Sequence, residues 1–305
     1  MRKLARGSHD VILLKLLNFV WKHPLNADHR IAALERVLWW QVVSRVCSEP
    51  VGLPFVDGTF LFATKGMTGA SGNWYSGLHE LQEMAFVLHL LRPTDHFIDA
   101  GANVGSYTVL AGGAVGATVT SIEPIPRTFE CLRQNIFLNG LEALVNAWQG
   151  GLSDSTGTLR FTEDLDTGNH VVVENEPGPT VEVPVKSVDD LVDGKTPVLL
   201  KVDVEGYEHR VLCGASRTLA DSRLLAAIIE TNGATSRYGT SDADVVGLMQ
   251  QQGFEVYEYD PFARQLLLGT SRTTVRGNTI FVRDRPTVQT RVSAARTYRL
   301  VNGQI

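Results

Sequence analysis

Three short stretches of this 305-residue chain carry residue types at spacings that can do chemistry. The first is Phe97-Ile98-Asp99-Ala100-Gly101-Ala102-Asn103-Val104-Gly105, an apolar run that ends in an acid and gives way to Gly-x-x-x-Gly. Glycine has no Cβ, so a ligand can approach the backbone closely at such a turn. A helix that starts there aims its N-terminal amides at the ligand. The second, Ile122-Glu123-Pro124, closes another apolar run with a carboxylate. A carboxylate in that place can take both hydroxyls of a ribose as charge-assisted hydrogen bonds. The third, Leu200-Lys201-Val202-Asp203-Val204-Glu205-Gly206, sets an acid-x-acid pair before a glycine that permits a sharp strand-to-helix turn. The chemistry implied is nucleotide binding, with further carboxylates available to manage a proton.

These stretches need strands to carry them. From residue 96 onward the pattern alternates strand and helix, which argues for a parallel sheet covered by helices on both faces. Strands are expected at 96–100, 117–122, 144–150, 197–203, 225–231, 254–259 and 278–283, and helices near 103–113, 126–138, 186–192, 207–219 and 241–252. Between Gly157 and Val185 the alternation predicts a β-hairpin excursion. The link from Tyr259 to Asn278 contains Pro261, Gly269 and Gly277 and has no helical pattern. A parallel crossover needs a dozen or more residues, usually helical, so the last strand is expected to run antiparallel. Upstream, residues 10–22 and 27–47 read as helices, and Lys65 to Gly77, with four glycines beside Trp74 and Tyr75, reads as a glycine-rich lid loop. The expected division is a helical N-terminal extension over 1–76, a nucleotide-binding domain over 77–285 and a polar tail over 286–305.

The turn discriminates between nucleotides. A dinucleotide fingerprint requires Gly-x-Gly-x-x-Gly after the first strand, and those positions hold Gly101, Asn103 and Ser106. The acid-x-Gly-x-Gly-x-Gly turn of S-adenosylmethionine enzymes fits better: Asp99, Gly101 and Gly105 match it and Asn103 replaces the middle glycine. The expected reversed last strand favours the same cofactor. The blocks Asp99 to Thr108, Ile122-Glu123-Pro124 with Phe129, Leu132, Asn135 and Asn139, and Leu200 to Glu208 followed by Val211-Leu212-Cys213-Gly214-Ala215 occur in one order. With these blocks the chain resembles the FkbM family of S-adenosyl-L-methionine-dependent methyltransferases over about Gly77 to Asp284. The resemblance implies a Rossmann-like, seven-stranded, mostly parallel sheet with a reversed last strand. It also implies O-methyl transfer to a hydroxyl, commonly of a sugar in a glycan, glycolipid or natural product. A NAD-dependent oxidoreductase on a nucleotide sugar and a non-catalytic Rossmann-fold binding protein are the rival readings.

Within that reading Asp99, Gly101, Asn103, Gly105 and Glu123 hold the cofactor, and Gly151-Leu152-Ser153-Asp154 brings Ser153 to the adenine. Asp203 and Glu205 organise the acceptor hydroxyl. Lys201, two residues before Asp203 on one strand, shares its side and needs an acid as partner. Glu208 reads as part of a solvated first helical turn. His79, after the glycine-rich segment, is the histidine candidate for a general base. Asp203, Glu230 and Asn232 offer oxygen ligands of the kind that suits Mg²⁺.

The totals bound the rest. A net charge of −5 with no long basic run excludes nucleic acid as the main partner and leaves a small-molecule or glycan acceptor. Cys47, Cys131 and Cys213 lie far apart in sequence. Such sparse cysteines suit a reducing, cytoplasmic setting. The apolar run Val11 to Trp21 is interrupted by Lys15 and Asn18 and is too short to span a bilayer, so no transmembrane segment is expected.

Overall fold

The computed structural model describes residues 13–174, 176–192, 194–269 and 277–305. These form two compact units, one made of the N-terminal residues to His79 together with Thr297–Ile305, the other of Glu80–Arg296. No helix among the described residues is long and apolar enough to cross a membrane.

In the N-terminal unit, residues 13–22 form helix α1, and positions 10–12 of the expected helix lie outside the described residues. Pro24 starts a single 3₁₀ turn that ends it. Helix α2 (Arg30–Val46) and the antiparallel ribbon β1 (Val51–Pro54) and β2 (Phe60–Ala63) follow. The segment expected as a glycine-rich loop is instead helix α3 (Thr68–Ser76), most of it buried. Its loop-like composition is absorbed locally, because the side chains bond to carbonyls of the preceding turn. Ser71 Oγ donates to the Met67 carbonyl at 2.8 Å, Asn73 Nδ2 to Gly69 at 2.8 Å and Ser76 Oγ to Gly72 at 2.7 Å. Gly72 is small because the His79 ring lies against it: a Cβ there would sit 2.6 Å from Nδ1.

The second unit opens with α4 (Leu81–Leu90), then β3 (His96–Ala100), α5 (Ser106–Val109), which runs on as a π turn to Val115, and β4 (Thr118–Glu123). Next come α6 (Pro126–Leu138), β5 (Val145–Gln149), and the short strands β6 (Gly151–Leu152), β7 (Gly157–Thr162) and β8 (Thr180–Lys186). The chain continues through α7 (Val188–Leu191), β9 (Leu199–Val202), α8 (Glu208–Cys213), α9 (Ser216–Ala220), β10 (Ala226–Glu230) and α10 (Asp242–Gln251). It ends with β11 (Glu255–Asp260), β12 (Gln265–Leu268), β13 (Asn278–Val282) and α11 (Arg285–Ser293).

The large sheet has the order β12-β11-β13-β10-β9-β3-β4-β5. Strands β3, β4, β5, β9 and β10 pair in parallel, and β13 runs antiparallel between β10 and β11. The reversed strand is thus as expected. Among the described residues the sheet has eight strands rather than the expected seven, because part of the link before β13 doubles back as β12 against β11. The expected hairpin is β7–β8, and β6 pairs with β8 in parallel to complete a separate three-stranded sheet. The single helix expected over 207–219 breaks at Gly214, where a Cβ would meet the Ser153 carbonyl at 2.2 Å. The tail begins as α11, whose Pro286 occupies the first turn and whose Arg291 pairs with Asp95 at 2.6 Å.

The turn after β3 depends on Gly101. Its φ of 78° is left-handed, and a Cβ would lie 1.8 Å from the backbone carbonyl oxygen of Asp203 at the end of β9. Replacing it meets backbone, which cannot swing aside. Gly101→Ala is expected to cost about 3 kcal/mol or more, whereas Asn103→Gly stays within about 1 kcal/mol. Chemical denaturation of the two variants measures the contrast.

Candidate active site

Parallel order brings the ends of β3, β4, β9 and β10 to one edge of the sheet, where ligands bind in folds of this kind. The turn after β3 carries Asn103 with φ 51°. Asparagine is among the few side chains that adopt this left-handed conformation readily. Here Asn103 Oδ1 accepts from the Val104 amide at 2.7 Å. That geometry explains how asparagine serves at a position where related turns use glycine. The Asn103 amide in turn donates to Glu123 Oε2 at 3.0 Å, and the Ile125 amide donates to Oε1 at 3.0 Å. Burial pushes the Glu123 carboxyl up to about 7, against the pull of those two amides. Asn135 on α6 closes the arrangement by donating to the Val104 carbonyl at 2.7 Å.

Asp99 lies wholly beneath the turn. Its Oδ2 accepts from the Thr108 hydroxyl at 2.7 Å, and Thr108 is joined to Ser121 at 2.7 Å. Its Oδ1 has no hydrogen-bond partner among the described residues, and burial raises the carboxyl above its ordinary range. Ser153 is buried as well, with its amide on the Lys186 carbonyl at 3.0 Å.

At the end of β9, Lys201 bonds Asp203 Oδ2 at 2.7 Å, the partnership expected from alternation along the strand. Burial alone would lower the ammonium, but Asp203, Asp99 and Glu80 outweigh it and raise it above its ordinary range. Its Nζ also sits 4.9 Å from the centre of the Tyr107 ring, within cation–π range. Glu205 follows at φ 55°, a left-handed conformation that costs a non-glycine residue energy and is concentrated at functional sites. Glu208 is not solvated, as its helix-start position suggested. It is buried, and its Oε1 accepts from the Val204 and Gly206 amides at 3.1 and 3.0 Å, so it shapes the turn that presents Asp203 and Glu205. Burial holds the Glu208 carboxyl up to about 7.

The end of β10 contributes Glu230. Oxygens of Asp203, Glu205 and Glu230 lie within 4.8 Å of one another, a set that could ligate a metal ion. Asn232, expected in that role, is exposed and caps its own turn by accepting from the Ala234 amide at 2.8 Å; Glu205 takes its place in the set. Burial, then Asp203, Glu205 and Glu208, push Glu230 up to about 9. Ile125, Phe161, Val171, Val183 and Val185 form a small buried core under the three-stranded sheet, and Tyr207 and Tyr238, partly buried, pack on it. His79 belongs to the N-terminal unit, its ring 5.0 Å from that of Phe19. Tyr107 and Glu80 were not legible as site residues. Tyr107 reads as helix packing, and the only signal was its place two residues after Gly105.

A Rossmann-like sheet with β13 reversed between β10 and β11, a glycine turn after its first strand and an acid closing the second defines the methyltransferase-type α/β fold. The Methyltransferase FkbM domain model matches residues 99–256, and the chain belongs to this family. It is 32% identical to methyltransferase sdnD of Sordaria araneosa, over 40% of this chain and 61% of that protein. It is 29% identical to 31-O-demethyl-FK506 methyltransferase FkbM of Streptomyces tacrolimicus, over 56% and 77%. It is 31% identical to hexuronic acid methyltransferase AglP of Haloferax volcanii, over 40% and 50%. The chain thus spans less than two thirds of sdnD and of AglP.

The raised carboxyls have a consequence for stability. Glu83, Glu123 and Glu208 sit at about 7 and Glu230 at about 9, all above the ordinary 4.5. At these four positions the folded chain binds more protons than the unfolded chain above pH 4.5, so they cost stability as pH rises through these values, by up to about 1.4 kcal/mol per unit for each group. His23 and His96, lowered to about 4 by burial, oppose this below about 6.5. The thermal midpoint of the cofactor-free protein is expected to drop between pH 5 and 9. Glu230→Gln should flatten the portion between pH 7 and 9. Equal slopes there in the variant and the parent would show that Glu230 does not carry the effect.

Proposed function

We propose that the protein is an S-adenosyl-L-methionine-dependent O-methyltransferase whose acceptor is a small molecule or glycan hydroxyl, most naturally that of a sugar. The observation that carries this reading is the charge balance of the sheet edge. Asp99, Glu123, Asp203, Glu205 and Glu230 gather there with one buried cation, Lys201, which bonds Asp203 at 2.7 Å, and oxygens of Asp203, Glu205 and Glu230 lie within 4.8 Å of one another. A sulfonium cofactor would add a positive charge to this acid-rich edge. Glu123 supports it at the ribose: each oxygen accepts one amide and keeps a further lone pair for a hydroxyl. The dinucleotide alternative lacks this support, since Asn103 and Ser106 stand where two of its glycines belong.

The transfer is an in-line displacement. Held by Asp99, Gly101, Asn103, Gly105 and Glu123, S-adenosyl-L-methionine would supply the methyl group. The acceptor oxygen would form the new carbon–oxygen bond, the carbon–sulfur pair would stay on sulfur as a neutral thioether, and the hydroxyl proton would pass to a carboxylate. Asp203 is the group assigned that proton, with Glu205 orienting the acceptor; geometry of this kind together with general base catalysis supplies most of such a rate. His79 is the weaker candidate for the base, because its ring is packed on Phe19 and Gly72. Tyr207 and Tyr238, partly buried aromatics packed on that core, are the rings beside Glu205 against which a sugar could stack. The name of AglP, a hexuronic acid methyltransferase, is consistent with a sugar acceptor.

Calorimetric titration tests the cofactor half. The protein should bind S-adenosylmethionine and not NAD, and Glu123→Ala should weaken that binding about tenfold or more, the loss of about 1.4 kcal/mol expected for a charge-assisted contact. An unchanged affinity in Glu123→Ala would remove the assignment. For the acceptor half, labelled cofactor is incubated with uronic acid, deoxysugar and glycolipid acceptors. Asp203→Asn should lower turnover on the order of 10²–10⁴-fold while leaving cofactor affinity within about twofold.

A further inference from the structure

Asp203 is useful only if its carboxylate is held in one orientation, and the structure shows what holds it. Lys201 takes Oδ2 at 2.7 Å and is itself wholly enclosed. On β3 the residue paired with it is Asp99. Above it lies the Tyr107 ring, 4.9 Å from Nζ. Tyr107 is buried, and its hydroxyl donates to Glu80 Oε2 at 2.7 Å. Glu80 Oε1 accepts from Asn278 Nδ2 at 3.2 Å. Asn278 starts β13 and pairs in register with Glu230 on β10, and Glu230 returns to within 4.8 Å of Asp203. The contacts form a closed circuit, Asp203–Lys201–Tyr107–Glu80–Asn278–Glu230, that joins five elements of the fold.

From this circuit we propose that Tyr107 and Glu80 are positioning residues for the transfer reaction, acting through Lys201 on the carboxylate of Asp203. The Tyr107 hydroxyl anchors the ring to α4, the ring confines the Lys201 ammonium, and the ammonium fixes Oδ2 so that Oδ1 is the oxygen presented to the acceptor's proton. Neither Tyr107 nor Glu80 touches the reacting atoms. A flexible lysine has three rotatable donors on a four-carbon stem. Without the ring and its anchor it can turn toward Asp99 and release Asp203.

The inference rests on the proposed role of Asp203, and the test separates the two. Tyr107→Phe keeps the ring and removes only the hydroxyl. It is expected to lower turnover about tenfold with acceptor KM and cofactor affinity within about twofold. In an Asp203→Asn background, where there is no carboxylate to orient, the same change should cost less than about twofold. A merely structural role would give the same loss in both backgrounds. If Asp203→Asn itself turns over like the parent, the role of Asp203 is wrong. If Asp203→Asn is impaired and Tyr107→Phe is fully additive with it, the positioning role alone is wrong.

Discussion

A lysine ammonium buried in the middle of a β-sheet is the constraint on which the rest of this site depends. Moving such a charge out of water costs several kcal/mol unless carboxylates surround it at hydrogen-bond distance. Lys201 meets that condition through Asp203, with Asp99 and Glu80 also raising the ammonium. The carboxylates in turn require the lysine, since each would otherwise be desolvated beside its own kind. Strand β9 can carry this pair only because β3 approaches it without a side chain at Gly101, where the Asp203 carbonyl fills the space a Cβ would take. The turn after β3 and the Asp203 carboxylate are therefore one construction, joined at backbone contact.

One cation does not balance the acids around it. Glu123 and Glu208 share the same response, holding their protons to about 7, and Glu230 holds its proton to about 9. Buried oxygens of Asp99 and Glu230 also have no hydrogen-bond partner among the described residues. Desolvated acids gathered in this way cost stability, the usual trade at strained sites.

The fold was legible wherever the signal was local. Strands at Asp99, Glu123 and Asp203 and the reversed last strand follow from apolar runs, punctuation and a connection with no helical pattern. Two segments misled. Lys65 to Gly77 carries the glycines, serine and asparagine of a loop, yet its side chains bond back along their own helix, and burial of Gly72 against His79 favours that helix. Gln265–Leu268 is an edge strand too short to announce itself apart from β11. Glu208 illustrates the same limit: at a helix start an acid looks solvated, and only the surrounding turn shows that it serves two backbone amides.

The sequence by itself determined the turn after β3, the carboxylate that closes β4 and the Lys201–Asp203 pair. Each is a matter of spacing along one strand or across one turn, where covalent geometry sets distances of a few ångströms. Tertiary structure alone decided that Asn232 stays out of the group formed by Asp203, Glu205 and Glu230, and that Tyr107, Glu80 and Asn278 close a circuit with them. Those partners are separated by up to 198 residues. Their meeting depends on the order in which strands enter the sheet and on which helix covers which strand end, and neither is written in the spacing of any one segment.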